Sequence, residues 1–96
     1  MATVWISSGA YSRLSHLIES RDLPRDTALR VRERLRTLEV FPESGVLVER
    51  GSWAGFRSIL GPWNWFLCVY DYDSEADTVR VATFEDSRER ETVRSS

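Results

Sequence analysis

The sequence predicts an α+β fold. An N-terminal strand leads into a two-helix antiparallel hairpin. A four-strand antiparallel meander comes next, forming a twisted sheet with the helices on one face. Three observations carry this. Residues 9–20 and 25–39 repeat apolar side chains at helical spacing. The segments 46–49, 55–60, 64–72 and 78–84 are short, mostly apolar, and separated by turns rich in Gly, Pro, Ser or Asp. At 96 residues the chain has room for a single domain, 1–96.

Each element has its own signal. Thr3 to Ser7 is β-branched and aromatic and ends at Ser-Ser-Gly, which reads as a strand, with Ser8 as the N-cap of the first helix. In that helix Tyr11, Leu14, Leu17 and Ile18 share one face, with Arg13, His16 and Glu19 away from it. Pro24 suits the first turn of the second helix, where its missing N–H costs nothing. There Ala28, Val31, Leu35 and Leu38 form the apolar stripe. Phe41 to Gly45 ends that helix, and the short break between the two helices implies an antiparallel pair. In the strand 64–72, Trp65, Leu67 and Val69 alternate with Phe66, Cys68 and Tyr70. A strand apolar on both faces is central and covered on both sides. Residues 85–94 read as a short helix or a polar tail.

Composition excludes several functions. All 13 basic residues are arginine, so no lysine nucleophile, base or phosphate-loop lysine exists. Residues 1–70 hold nine arginines and seven acids, whereas residues 71–96 hold four and eight. With a net charge of −2, no global field draws the chain onto nucleic acid, and any such contact is local. The lone Cys68 lies in an apolar strand, which excludes an internal disulfide and fits a reducing, cytoplasmic setting. No apolar run approaches the ~20 residues that span a bilayer, and no signal peptide opens the chain.

Few groupings carry chemistry. Asp71, Asp73, Glu75 and Asp77 imitate the start of a calcium loop but lack its glycine and closing glutamate; a solvated hairpin turn explains them. His16 has no ligand partner at metal-site spacing, so no metal or other cofactor is expected. Trp53 and Trp63 sit at turns, where an indole either covers the core or meets a partner. Arg57 is the sole charge in its strand, and Arg88 and Arg90 lie just beyond the last one. If the sheet curls, these arginines converge and can hold a phosphate or a developing negative charge. The alternative is ordinary ion pairing with Glu85, Asp86, Glu89 or Glu91.

Taken together, the chain resembles the RelE/ParE superfamily of toxins from bacterial type II toxin–antitoxin modules, the class linked to plasmid stabilisation. The carriers are LRTLEVFPESG, FRSIL, FLCVYDYD, VRVATFED and SRER, with Leu38, Pro42, Gly45, Arg57, Tyr70 and Arg88 at the family's characteristic positions. The resemblance implies a growth-inhibiting toxin neutralised by a cognate antitoxin, in a toxin–antitoxin hetero-oligomer. RelE-like members are metal-independent, ribosome-dependent mRNA endoribonucleases; ParE-like members are associated with DNA gyrase. Arg57 and Arg88 match RelE-type basic positions and are the catalytic candidates on that branch. Departures are the absent lysines, Phe66 and Leu67 where an arginine commonly follows an aromatic residue, and Arg94 near the place of a terminal tyrosine. No general base is evident, so the ParE-like branch is favoured, with an inactive or interaction-only member as a third reading. Arg57, Arg88, Arg90, Trp53 and Trp63 are the target-binding candidates. Leu14, Leu17, Leu35 and Leu38 are the candidates for docking the antitoxin.

Overall fold

Residues 1–89 are described in a computed structural model. The order is β1 (Thr3–Ile6), α1 (Ser8–Ser20), α2 (Thr27–Val40), β2 (Val46–Leu47), β3 (Arg57–Leu60), β4 (Phe66–Asp73) and β5 (Thr78–Asp86). The strands form one sheet, ordered β1-β5-β4-β3-β2. β2 to β5 are antiparallel neighbours, as expected of the meander. β1 instead pairs parallel to β5, with Thr3 opposite Thr78 and Ile6 opposite Val81. Residues 87–89 begin a helical turn. Arg90 and Arg94 lie outside the described residues.

Local chemistry sets the helix ends. Ser7, not Ser8, caps α1: its Oγ accepts the Ala10 N–H at 3.1 Å. α2 begins two residues later than Arg25, at Thr27, whose hydroxyl donates to the Pro24 carbonyl at 2.6 Å. Its buried stripe is Thr27, Val31, Leu35 and Leu38, while Ala28 is exposed. In α1 the buried residues are Ala10, Leu14 and Leu17, and Tyr11 stands at the rim.

α1 lies against β5 and α2 beside β1. Between them and the sheet sit Leu14, Leu17, Val31, Leu35, Leu38, Ile59, Phe66, Cys68, Tyr70, Val79, Val81 and Phe84. A β-bulge makes this core possible. Val69 pairs with Thr83 but Tyr70 pairs with Val81, leaving Ala82 as an extra residue. Strict alternation would send Val81 and Phe84 to opposite faces; the bulge turns both inward. The strand β4 is central and buried at Phe66, Cys68, Val69 and Tyr70.

Burial pushes the Cys68 thiol up to about 12. The thiolate is the reactive form. Cys68 is therefore expected to resist thiol reagents in the folded protein. Its labelling rate in rising urea should track unfolding, as read by circular dichroism; rapid labelling in buffer alone would contradict this packing.

The acidic loop is a turn closed by its own carboxylates. Asp73 Oδ1 accepts the N–H groups of Glu75 and Ala76 at 3.0 and 3.2 Å, and Tyr72 donates its hydroxyl to Asp77 at 2.7 Å. Among the described residues, no helix is long and apolar enough to cross a membrane.

Candidate functional site

The candidate residues gather at two ends of the sheet. At one end Arg57 straps the α2–β2 loop to β3. Its Nη1 donates to the carbonyls of Gly45 and Glu43 at 3.0 and 3.3 Å, and its Nη2 lies 3.7 Å from the Glu43 carboxylate. Beneath the loop, the Gly45 N–H donates to the buried Tyr70 hydroxyl at 2.9 Å. Burial raises the Tyr70 pKa, with the Gly45 hydrogen bond and Arg57 opposing. A polar cleft of about 370 Å³ opens here, lined by Glu43, Arg57, Asp71, Tyr72 and Ser74 among others. Asp71 is gripped by Arg80 through two hydrogen bonds, 3.1 and 2.7 Å.

At the other end a cluster of three arginines and three carboxylates closes the domain. Beyond Val81, among the described residues, no strand covers β5 on its β1 side. Ser7 Oγ and Arg13 Nε take over, donating to the carbonyls of Ala82 and Phe84 at 3.3 and 3.1 Å. Arg13 also pairs with Glu85 at 3.2 Å and Glu89 at 2.9 Å. Arg21, the C-cap of α1, pairs with Glu89 and, at 3.0 Å, with Asp86. Asp86 is 2% exposed and also accepts both the backbone N–H and the guanidinium of Arg88. The Arg88 side-chain hydrogen bond leads the forces that hold the Asp86 carboxyl down to about 2, against the opposing pull of burial. Glu89 is likewise lowered, first by Arg21 and then by Arg13. The Arg88 guanidinium also lies 4.2 Å from the centre of the Trp65 ring, a cation–π contact. Trp65 stacks on Trp63, with centroids 5.7 Å apart and planes 10° apart.

These positions settle which expected neighbours meet. Arg57 and Arg88 do not converge. Arg57 is opposite Tyr70, and Asp86, two residues before Arg88, is opposite Phe66. Those pairs lie four residue steps apart along β4, about 13 Å at the usual strand rise. Arg57 takes Glu43 as its acidic partner rather than a C-terminal acid. Trp53 packs edge-on against Phe56, and Trp63 is partly buried against the core. Both indoles cover apolar neighbours.

The leucine stripes are a correction. Leu14, Leu17, Leu35 and Leu38 are all buried in the domain's own core, and only Leu14 and Leu35 reach the walls of surface clefts. A domain of this size needs that area to fold. What the helices expose is different. Two adjoining clefts, of about 440 and 250 Å³, share Ile6, Tyr11 and Arg32. The larger also holds Trp5 and Arg36, and the smaller Leu29. Trp5, Tyr11 and Leu29 are exposed. Of these, only Tyr11 lies on the helical face that periodicity marks out.

Among solved structures, the chain aligns with a chain of the intact E. coli RelBE toxin–antitoxin complex. That alignment has a TM-score of 0.63 and 16% identity, covering 90% of this chain and 96% of the other. The chain has a RelE-like fold. It also matches the solution structure of the conserved hypothetical protein HP0892 from Helicobacter pylori, with a TM-score of 0.59 and 17% identity over 94% of this chain and 99% of that one. No family model and no curated protein sequence matches. Sequence identity is thus low while the arrangement of strand, two helices and meander is similar.

The residues that tie this RelE-like fold together were only partly visible in sequence. Gly45 and Tyr70 belong to the motifs that carried the resemblance, but their contact spans 25 positions. Asp86 looked like one more acid of a polar tail. Its burial depends on the bulge at Ala82, which carries no sequence mark. Arg13 appeared as a surface charge on helix α1 and Arg21 fell in the break after it, and neither gave a signal of a role at the end of β5.

Proposed function

We propose that this protein is the toxin of a type II toxin–antitoxin module, and that it acts in the ParE-like manner, on DNA gyrase, rather than as a ribosome-dependent nuclease. The RelE-like fold, extending over nine-tenths of the chain, supports the toxin reading. The separation of Arg57 from Arg88 is the observation that favours the ParE-like branch. A metal-independent nuclease needs a group for the 2′-hydroxyl proton and charge stabilisation at the same phosphate. Here the two arginines sit at opposite ends of β4, each against a carboxylate.

The antitoxin partner belongs to the same reading. The exposed Trp5, Tyr11 and Leu29, with Arg32 and Arg36 beside them, fit an acidic amphipathic segment. Coexpression of such a partner is expected to relieve toxicity.

The test is inducible expression without antitoxin, monitoring growth, bulk translation and the SOS response in one culture. Growth is expected to stop, with SOS induction while translation is still intact. An early translation stop with cleaved mRNA, abolished by Arg57→Ala or Arg88→Ala, would move the protein to the nuclease branch. Undisturbed growth would leave an interaction-only member of the fold.

A further inference from the structure

Among the described residues, the sheet ends at an open edge. β2 pairs with β3 on one side and is last in the strand order. Within eight consecutive positions, Val40, Phe41, Val46 and Leu47 are 57, 65, 74 and 50% exposed. Exposed edges are normally blunted by charge or proline. Residues 44–48 contain neither.

The backbone shows which groups look outward. The Val48 N–H donates to the Phe56 carbonyl at 2.7 Å, and the Val48 carbonyl accepts from Gly55 at 2.9 Å. Val48 therefore turns its backbone towards β3. In an antiparallel ladder the next residue turns the other way. The N–H and C=O of Leu47 face the free edge.

The sequence around Leu47 is self-complementary. Val46-Leu47-Val48 reads alike in both directions. An antiparallel pairing centred on Leu47 sets Leu47 opposite Leu47 and Val46 opposite Val48. It also sets Arg50 opposite Ser44, beside the exposed Glu43. Opposite charges on facing strands then meet at both ends of a short apolar centre.

We propose that β2 is a self-association edge, where two copies pair antiparallel about a two-fold axis through Leu47, joining their sheets and covering the apolar residues around 40–47. The two copies share two backbone hydrogen bonds at Leu47, so side-chain burial and the Arg50–Glu43 pairs carry most of the association. An isologous contact of this kind closes at two copies. This inference stands apart from the toxin reading and survives its failure.

The purified full chain tests it by cross-linking. In the paired geometry the two Leu47 Cα atoms lie about 5.5 Å apart, within disulfide reach. Leu47→Cys is expected to form a disulfide dimer under mild oxidation, with buried Cys68 standing aside. Leu60→Cys, at a position 44% exposed elsewhere on the sheet, serves as the control and is expected to form no disulfide cross-link. In sedimentation velocity, Leu47→Lys should weaken the dimer about tenfold or more, equal to about 1.4 kcal/mol. Arg50→Glu should weaken it, and Arg50→Glu with Glu43→Arg should restore it. Circular dichroism checks that each variant folds. Cross-linking of Leu47→Cys no faster than the control would overturn the proposal. So would a monomer at every concentration, a dimer indifferent to Leu47→Lys, or an edge occupied only by a different protein.

Discussion

Gly45→Ala is expected to destabilise the domain by about 3 kcal/mol, the upper end for overpacking a tight site. A Cβ at this position would lie 2.6 Å from the Tyr70 hydroxyl, 2.9 Å from Tyr70 Cε1 and 2.9 Å from the Ser58 carbonyl. Two of those atoms belong to a fully buried ring and one to the backbone, so none moves aside cheaply. Any shift also strains the Gly45–Tyr70 hydrogen bond. Tyr70→Phe provides the partner experiment. It leaves the Gly45 N–H without its acceptor, at about 1–2 kcal/mol. The double variant lacks the nearest clashing oxygen, so its cost should fall below the sum of the two single ones. Urea unfolding of the four proteins measures this coupling. Strict additivity would mean that the loop does not rest on Tyr70. The same experiment reaches Arg57, whose guanidinium is held by the carbonyls on either side of Ser44.

Asp86→Asn is expected to remove about 2 kcal/mol at neutral pH. The wild-type carboxylate holds Arg88 and Arg21 from a site 2% open to solvent. Its pKa falls from the ordinary 3.8 to about 2, chiefly through Arg88, and that interval corresponds to about 2 kcal/mol. The cost stays moderate because the arginines left behind reach water, with side chains 23 and 57% exposed. A lowered folded pKa sets the direction of the pH effect. The stabilisation is complete above about pH 4, fades as pH falls towards 2, and is absent once the carboxyl is protonated in both states. The gap between wild type and Asp86→Asn should therefore be wide at pH 7 and narrow at pH 2.5. For a domain of this size each kcal/mol is about 4–8 °C in melting temperature. An equal gap at both pH values would show that Asp86 acts through packing rather than charge.

Much of the fold was legible because burial writes itself into periodicity. Leu14 and Leu17 in α1, Val31, Leu35 and Leu38 in α2, and the alternating run from Phe66 to Tyr70 all announced their elements. Boundaries were blurred where two residues competed for one role. Ser7 and Ser8 are equal as caps in sequence, and the direction of the Ser7 hydroxyl decides between them. Thr27 and Ala28 likewise compete for the buried stripe. Thr27 occupies it because its hydroxyl finds the Pro24 carbonyl and needs no water.

The candidate site was less legible. Arg57, Arg88, Trp53 and Trp63 stood out as residue types in unusual places, but type does not reveal a neighbour. The paired strands set Arg57 and Arg88 at opposite ends, and gave Arg57 to Glu43 and Arg88 to Asp86 and Trp65. The apolar stripes could not say how much surface remained after folding. Packing used all four leucines and left Trp5, Tyr11 and Leu29 outside.

Composition and periodicity thus determined the α+β class, the two helices, the antiparallel meander and the lack of any lysine chemistry. Each rests on residue types or short spacings that act within one element. The parallel docking of β1 on β5, the bulge at Ala82 and the burial of Asp86 were decided only in three dimensions. So were the two separate arginine sites and the open Leu47 edge. Each depends on contacts between distant positions, and a pairing energy between remote residues leaves no local pattern along the chain.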